Sequence, residues 1–251
     1  MLSDVEHRPY PPPSTSWAGQ MVWHDLLFAH WAVPPESLRR IVPPSLVLDT
    51  HEGRAYVTVT PFHMSGVRPR AVPAVPWLST FPELNVRTYV TMGGRPGVYF
   101  FSLDVTSLPA VLGARTLFSL PYFLAQMSVT HEGSWVHYSS HRSRWHGVPA
   151  HFVGRYRPTG GVFYAAPGSL EYWLVERYCL YTTDGRDQVY RVEIHHPPWP
   201  LQPAEAVLFR NTMAVPLGLD LPEQPTHLHY AQRLEVLFWL PTRVEPEVKP
   251  V

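Results

Sequence analysis

Four clusters of polar residues stand inside otherwise apolar, aromatic-rich segments, where burial would oblige each to find a partner. In FPELNVRTYV, Glu83, Asn85 and Arg87 are spaced by two, so an extended strand turns a carboxylate, an amide and a guanidinium to one side. Pointed into a hollow sheet they form the polar floor of a pocket; a structural ion pair or a solvated face is the plain alternative. In ARTLFSLPYF, Arg115 interrupts an apolar helical pattern and needs an anion from the protein or from a ligand, with Tyr122 close behind it. In WVHYSSHRSR, Tyr138, Ser140, Arg142 and Arg144 share one strand face, and neighbouring arginines suit bidentate binding of an anion. In LEYWLVERYCLY, Glu176 is a lone carboxylate among Trp173, Leu174 and Tyr178, suited to structural pairing with an arginine or, with its pKa raised by burial, to proton transfer. The candidate set is therefore Glu83 and Glu176 as acid–base groups, with Arg87, Arg115, Tyr122, Tyr138 and Arg142 as ligand contacts.

Other chemistries find less support. The 14 histidines include the pair His195-His196 and the HxH of His227 and His229, but there is no HExxH and no zinc-type cysteine spacing. Neither a metal nor any other cofactor is expected. Cys179 is the single cysteine, set in an apolar-aromatic stretch that predicts burial, so no intramolecular disulfide can form. Of the 20 basic residues 19 are arginine, and the one lysine is Lys249, which leaves no core amine for Schiff-base chemistry. Phosphate-cradling GxxxxGK[ST], dinucleotide GxGxxG and nucleophile-elbow GxSxG patterns are all missing. The 20 basic and 20 acidic residues cancel, so the chain lacks the cationic field of a nucleic-acid binder. No signal-like apolar core and no run of 18 apolar residues occurs. The expectation is a cytoplasmic protein whose partner is a small-molecule ligand such as a carboxylate, and neither nucleic acid nor membrane.

The elements that must position these residues are short. Proline is frequent, 29 of 251 residues, and clusters between β-prone runs, marking loops and strand ends. Strands are predicted at 21–32, where alternation is imperfect, and at 54–62, 85–91, 97–105, 128–130, 135–144, 150–157, 188–195, 206–211 and 234–240. Gly93-Gly94 suggests a hairpin with a slightly long loop. Short helices are predicted at 36–41, after Ser107, where Pro121 divides two of them, and after Ser169. The fold class is α+β, a mainly antiparallel barrel-like or strongly curved sheet with two or three short helices. Residues 1–17 read as a flexible proline-rich arm, 18–241 as one domain and 242–251 as a tail.

FPELNVRTYV, GVYFFSLDV, ARTLFSLPYF, VERYCLY and HHPPWPLQPA, in this order, resemble the YqjF-like DUF2071 family of uncharacterised conserved bacterial proteins, over roughly residues 20–240. The resemblance implies a fold similar to acetoacetate decarboxylase, with a small-acid pocket, and LRRIVPPSLVLD resembles an early segment of that enzyme. Its catalytic lysines would fall near Ser107–Leu112, where this chain carries Pro109, Ala110 and Val111. Amine-catalysed decarboxylation is thus not expected. The functions that remain are a binder of a small organic acid or other anionic or apolar ligand, a lysine-independent decarboxylase, hydrolase or proton-transfer enzyme, and a structural or protein-interaction module.

Overall fold

Apolar alternation between proline clusters produces strands along most of the chain, and the computed structural model describes residues 2–75, 79–184 and 188–245. In chain order the elements are β1 (Gly19–Val33), α1 (Pro35–Arg39), β2 (Val47–Leu48), β3 (Ala55–Pro69), β4 (Phe81–Met92), β5 (Arg95–Val105), α2 (Leu108–Phe118), β6 (Tyr122–Leu124), β7 (Gln126–Glu132), β8 (Trp135–Arg142), β9 (Ala150–Pro158), α3 (Leu170–Val175), β10 (Cys179–Thr183), β11 (Val189–His195), β12 (Gln202–Asn211), β13 (His227–Phe238) and β14 (Thr242–Val244). The strands join in the order β14-β11-β10-β5-β4-β3-β1-β13-β12-β9-β8-β7, and β11 also pairs with β13. That extra pairing, Ile194 with Phe238 and His195 with Leu237, makes the run from β11 to β13 a ring-like sheet. Pairings are mostly antiparallel; β5 runs parallel to both β10 and β6.

Two hydrophobic layers follow from the alternation. Phe28, Phe62, Phe81, Tyr89 and Trp199 pack inside the ring. Trp31, Leu84, Val86, Tyr138, Phe152 and Tyr156 pack between the outside of β1, β3 and β4 and the flanking strands β8 and β9.

Bulges explain why the alternation looks imperfect. On β1, Met21 and Trp23 face inward, but so do Leu26 and Phe28, because the β1–β3 register shifts between His24 and Ala29. Asp25 stands in that shift at φ 49°, its carboxylate accepting from Tyr230 at 2.5 Å and its carbonyl from Tyr156 at 2.7 Å. On β5, Val98 and Phe100 face inward, then Val105 does, because Phe101 is the extra residue opposite the Val86–Arg87 step. A bulge costs one ladder pairing and flips the face of everything after it.

Several expectations change. The Gly93-Gly94 loop is only two residues long, since Met92 pairs with Arg95 and both glycines take positive φ, the geometry of a tight hairpin turn. Pro121 separates α2 from a strand, β6, rather than from a second helix. Ser107 and Ser169 do cap their helices, accepting from the backbone N–H of Ala110 at 3.3 Å and of Tyr172 at 3.2 Å. The N-terminal arm is tied down instead of loose: Arg8 is buried, donates to the Ile194 carbonyl at 2.6 Å and pairs with Glu193 at 3.4 Å. Its far end is held by the Trp239 indole, which donates to the Thr15 carbonyl at 2.8 Å. The tail begins with a strand, β14 on β11, and residues 246–251 lie outside the described ones. Cys179 is buried as expected, and burial pushes its thiol up to about 11.

Candidate ligand-binding site

The ring encloses a cavity of about 450 Å³ whose wall is mostly apolar. Strand β4 delivers Phe81, Glu83 and Arg87 to it, as their spacing by two and four predicts, while Leu84 and Val86 point to the opposite layer. Trp23 and Met64 line it from β1 and β3, and Trp199 from the segment before β12. Helix α2 covers one side with Pro109, Ala110 and Gly113; Leu117 both lines the cavity and is 68% exposed, which puts the mouth beside the end of α2.

Arg87 lies at the deep end, 8% exposed. Its guanidinium carbon sits 5.1 Å from the Phe28 ring centre and 5.9 Å from that of Tyr89, and its Nε has no hydrogen-bond partner. Among the described residues no carboxylate is within ion-pair distance of it. Burial lowers its pKa, Tyr89 opposes that shift and the nearby Arg177 adds to it. Arg177 reaches the same cavity from the chain just after α3. It donates through Nη1 to Asp49 at 2.6 Å and through Nε to the Trp173 carbonyl at 2.7 Å, while its buried Nη2 has no partner. His196 completes this end; its Nδ1 lies 2.8 Å from the Pro197 carbonyl, and burial pushes its imidazole down to about 3, so it is neutral near pH 7. Two buried guanidinium groups with unspent N–H donors in an apolar cavity form a site short of one anion.

Glu83 marks a second polar point in the wall. Its carboxyl accepts from the Tyr122 hydroxyl at 2.8 Å. Burial raises its pKa to about 7, with hydrogen bonds from Tyr122 and Asn85 opposing the shift. Burial likewise holds the Tyr122 phenol well above its ordinary value, so Tyr122 acts as a donor.

The other expected site residues lie elsewhere. Arg115 faces outward on α2, donates to the Tyr122 carbonyl at 2.7 Å and does not line the cavity; it anchors the backbone of a residue that does. Tyr138 and Arg142 stand on β8, behind the cavity wall in the outer layer. Tyr138 donates to the carbonyls of Glu83 at 2.8 Å and Phe62 at 3.1 Å. Arg142 pairs with Asp104 at 3.1 Å, donates to Ser102 at 3.2 Å and covers the Phe123 ring at 4.3 Å. Glu176 lies outside the cavity, in an open groove beside the N-terminal arm, accepting a short bond from the Tyr178 hydroxyl and another from the Trp199 backbone N–H at 2.9 Å. Arg177 is the cavity residue that sequence reasoning passed over in favour of Glu176 next to it. The available signal was an arginine following the last turn of an aromatic helix.

Among the described residues there is no group of three His, Cys, Asp or Glu able to hold a metal, and no helix long and apolar enough to cross a membrane. Among the described residues no lysine lines the cavity, and Lys249 lies outside the described residues.

Comparison with known proteins adds the following. A family profile described as an uncharacterised conserved protein matches residues 20–235. The chain is 48% identical over 239 residues to the uncharacterised protein YqjF of Bacillus subtilis, covering 95% of this chain and 98% of the relative. Among solved structures it is similar to acetoacetate decarboxylase from Legionella pneumophila, with TM-score 0.62 and 13% identity over 97% of this chain and 95% of the other. It is also similar to the enduracididine biosynthesis enzyme MppR complexed with pyruvate, with TM-score 0.60 and 12% identity over 96% and 98%. An acetoacetate decarboxylase-like enzyme from Sphingomonas wittichii gives TM-score 0.60 and 15% identity over 96% and 100%. At these identities the structural likeness establishes the fold alone.

Proposed function

The chain belongs to the DUF2071 family of uncharacterised conserved proteins, and we propose that it binds a small organic acid in the cavity of its ring, which we read as a closed barrel. The observation that carries this reading is Arg87, a buried cation with a free Nε and no carboxylate near it. Leaving such a group unpaired costs several kcal/mol in general, and an anionic ligand removes that cost. Arg177 supplies a second free donor, and Glu83 with Tyr122 offers a neutral carboxyl and a phenol for an uncharged oxygen. One fold neighbour is complexed with pyruvate, which supports a small acid as the ligand class.

The test is titration of the whole protein with simple monocarboxylates, followed by the fluorescence of Trp23 and Trp199, which line the cavity. Saturable quenching is expected, weakened at least tenfold in Arg87→Met. Binding also weakens as pH rises through about 7, because Glu83 then acquires a negative charge in the same cavity. The reading fails if no acid changes the emission, or if Arg87→Met binds as well as the parent.

One observation favours a second reading. A carboxyl held near 7 and hydrogen-bonded to a phenol can take or return a proton at a bound acid, which would make the protein a lysine-independent proton-transfer enzyme. Deuterium exchange beside the distal carbonyl of a bound long-chain oxo acid, lost in Glu83→Gln, is the result this reading requires; exchange unchanged in that variant removes it.

A further inference from the structure

The polar groups of the cavity are not gathered at one point. Glu83 and Arg87 are four residues apart on β4 and face the same way, with the bulge at this step falling on β5, so β4 keeps its regular extension. At the usual rise per residue their Cα atoms are about 13 Å apart. The Arg87 guanidinium turns toward Tyr89, two residues further from Glu83, so the side chains do not close that distance and a single carboxylate group does not serve both. The wall between and around the two points is apolar, drawn from Phe81, Val98, Phe100 and Leu103. The deep end carries the fully buried His196 with Arg87 and Arg177, and the mouth lies beside the exposed Leu117. The volume, about 450 Å³, lies in the range of sites that take ligands of drug-like size.

We infer that the ligand is an elongated amphiphilic acid: a carboxylate against Arg87 and Arg177, an apolar body along the wall, and an uncharged oxygen further along that meets Glu83 and Tyr122. The inference rests on the anion reading above and specifies its ligand class. A two- or three-carbon acid satisfies the guanidinium groups, leaves the rest of the cavity unfilled and never reaches Glu83. A longer acid enters carboxylate first and ends near the mouth, so its apolar atoms leave water on binding. Each methylene buried in this way strengthens binding by up to about fourfold. The oxygen adds specificity, because Glu83 is protonated below about 7 and can donate to a hydroxyl or carbonyl that it would otherwise leave unmatched.

The experiment is calorimetric titration of the unmodified full chain at pH 6 with acetate, hexanoate, decanoate and 10-hydroxydecanoate. Affinity is expected to rise at least tenfold from hexanoate to decanoate. Glu83→Leu is then expected to weaken 10-hydroxydecanoate about tenfold relative to decanoate, with Glu83→Gln retaining most of the affinity if the leucine variant folds poorly. Acetate binding as tightly as decanoate overturns the elongated ligand while leaving the anion site standing. Equal loss of both ten-carbon acids in the Glu83 variants overturns the second contact. If none of the four acids binds, the anion reading itself fails and this inference with it.

Discussion

Arg87 and Arg142 are both buried arginines on adjacent layers of the same sheet system, yet their surroundings differ. Arg142, in the layer between ring and flanking strands, has Asp104 at 3.1 Å, Ser102 at 3.2 Å and the Phe123 ring beneath it. Arg87, inside the ring, has aromatic rings and no carboxylate. Burial alone therefore says little about what a cation does. A paired cation is part of the packing, and an unpaired one facing a cavity is a site awaiting a partner.

The largest expected effect breaks the paired side of this comparison. Arg142→Met leaves Asp104 buried without its partner, which should lower stability by about 3–5 kcal/mol in denaturant unfolding at pH 8. Asp104 is already raised to about 6 by burial, against the pull of Arg142, so without that partner it takes up a proton on mild acidification. The cost of Arg142→Met should then shrink at pH 5. An equal cost at both pH values would mean that Arg142 acts through packing alone.

Next comes the pH dependence of stability. Glu83 has an ordinary pKa of 4.5 and is raised to about 7 in the folded chain. Between these values the folded protein holds a proton that the unfolded chain has lost, so stability falls as pH rises across this window and levels off above about 7. The fall is bounded at about 3 kcal/mol. Asp104 adds a slope of the same sign between 3.8 and about 6, so Glu83→Gln should flatten the curve throughout 4.5 to 7 and leave the Asp104 slope below about 6. Unfolding midpoints of the two proteins, taken every half unit of pH, check this.

Arg87→Met sharpens the contrast with Arg142→Met. It deletes an unpaired buried charge in favour of an apolar side chain, and without ligand it should leave stability unchanged or raise it by about 1 kcal/mol. A loss of several kcal/mol would reveal a structural partner for Arg87 and remove the basis for an anion site.

The contrast between the two arginines was only half legible in the sequence. Spacing by two on β4 correctly put Glu83 and Arg87 on one face, because a regular strand has no other option. The same rule grouped Tyr138 with Arg142, and they do share a face, but no period reveals which layer that face meets. That depends on the flanking strands lying over β1, β3 and β4, a long-range arrangement carried by neither segment alone. Bulges at Asp25 and Phe101 were invisible for a related reason: one extra residue reads locally as poor alternation. Arg177 was hidden by its neighbour, since the end of a helix leaves open which of two adjacent side chains turns inward.

The smallest predicted effect concerns how the cavity wall is tuned. Tyr122 donates to the Glu83 carboxyl at 2.8 Å, and this bond favours the charged form and so restrains the upward shift caused by burial. Tyr122→Phe removes the donor with little change in volume. Below pH 6, with Glu83 protonated in the folded state, the variant should lose little stability, because a neutral acid relies less on that donor. At pH 8 the carboxylate is buried with one hydrogen bond fewer, and the loss should be about 1 kcal/mol. The fall in stability with rising pH should correspondingly extend to higher pH than in the parent. A uniform loss at both pH values would mean that the phenol bonds the neutral and the charged carboxyl equally and does not restrain the shift that burial causes.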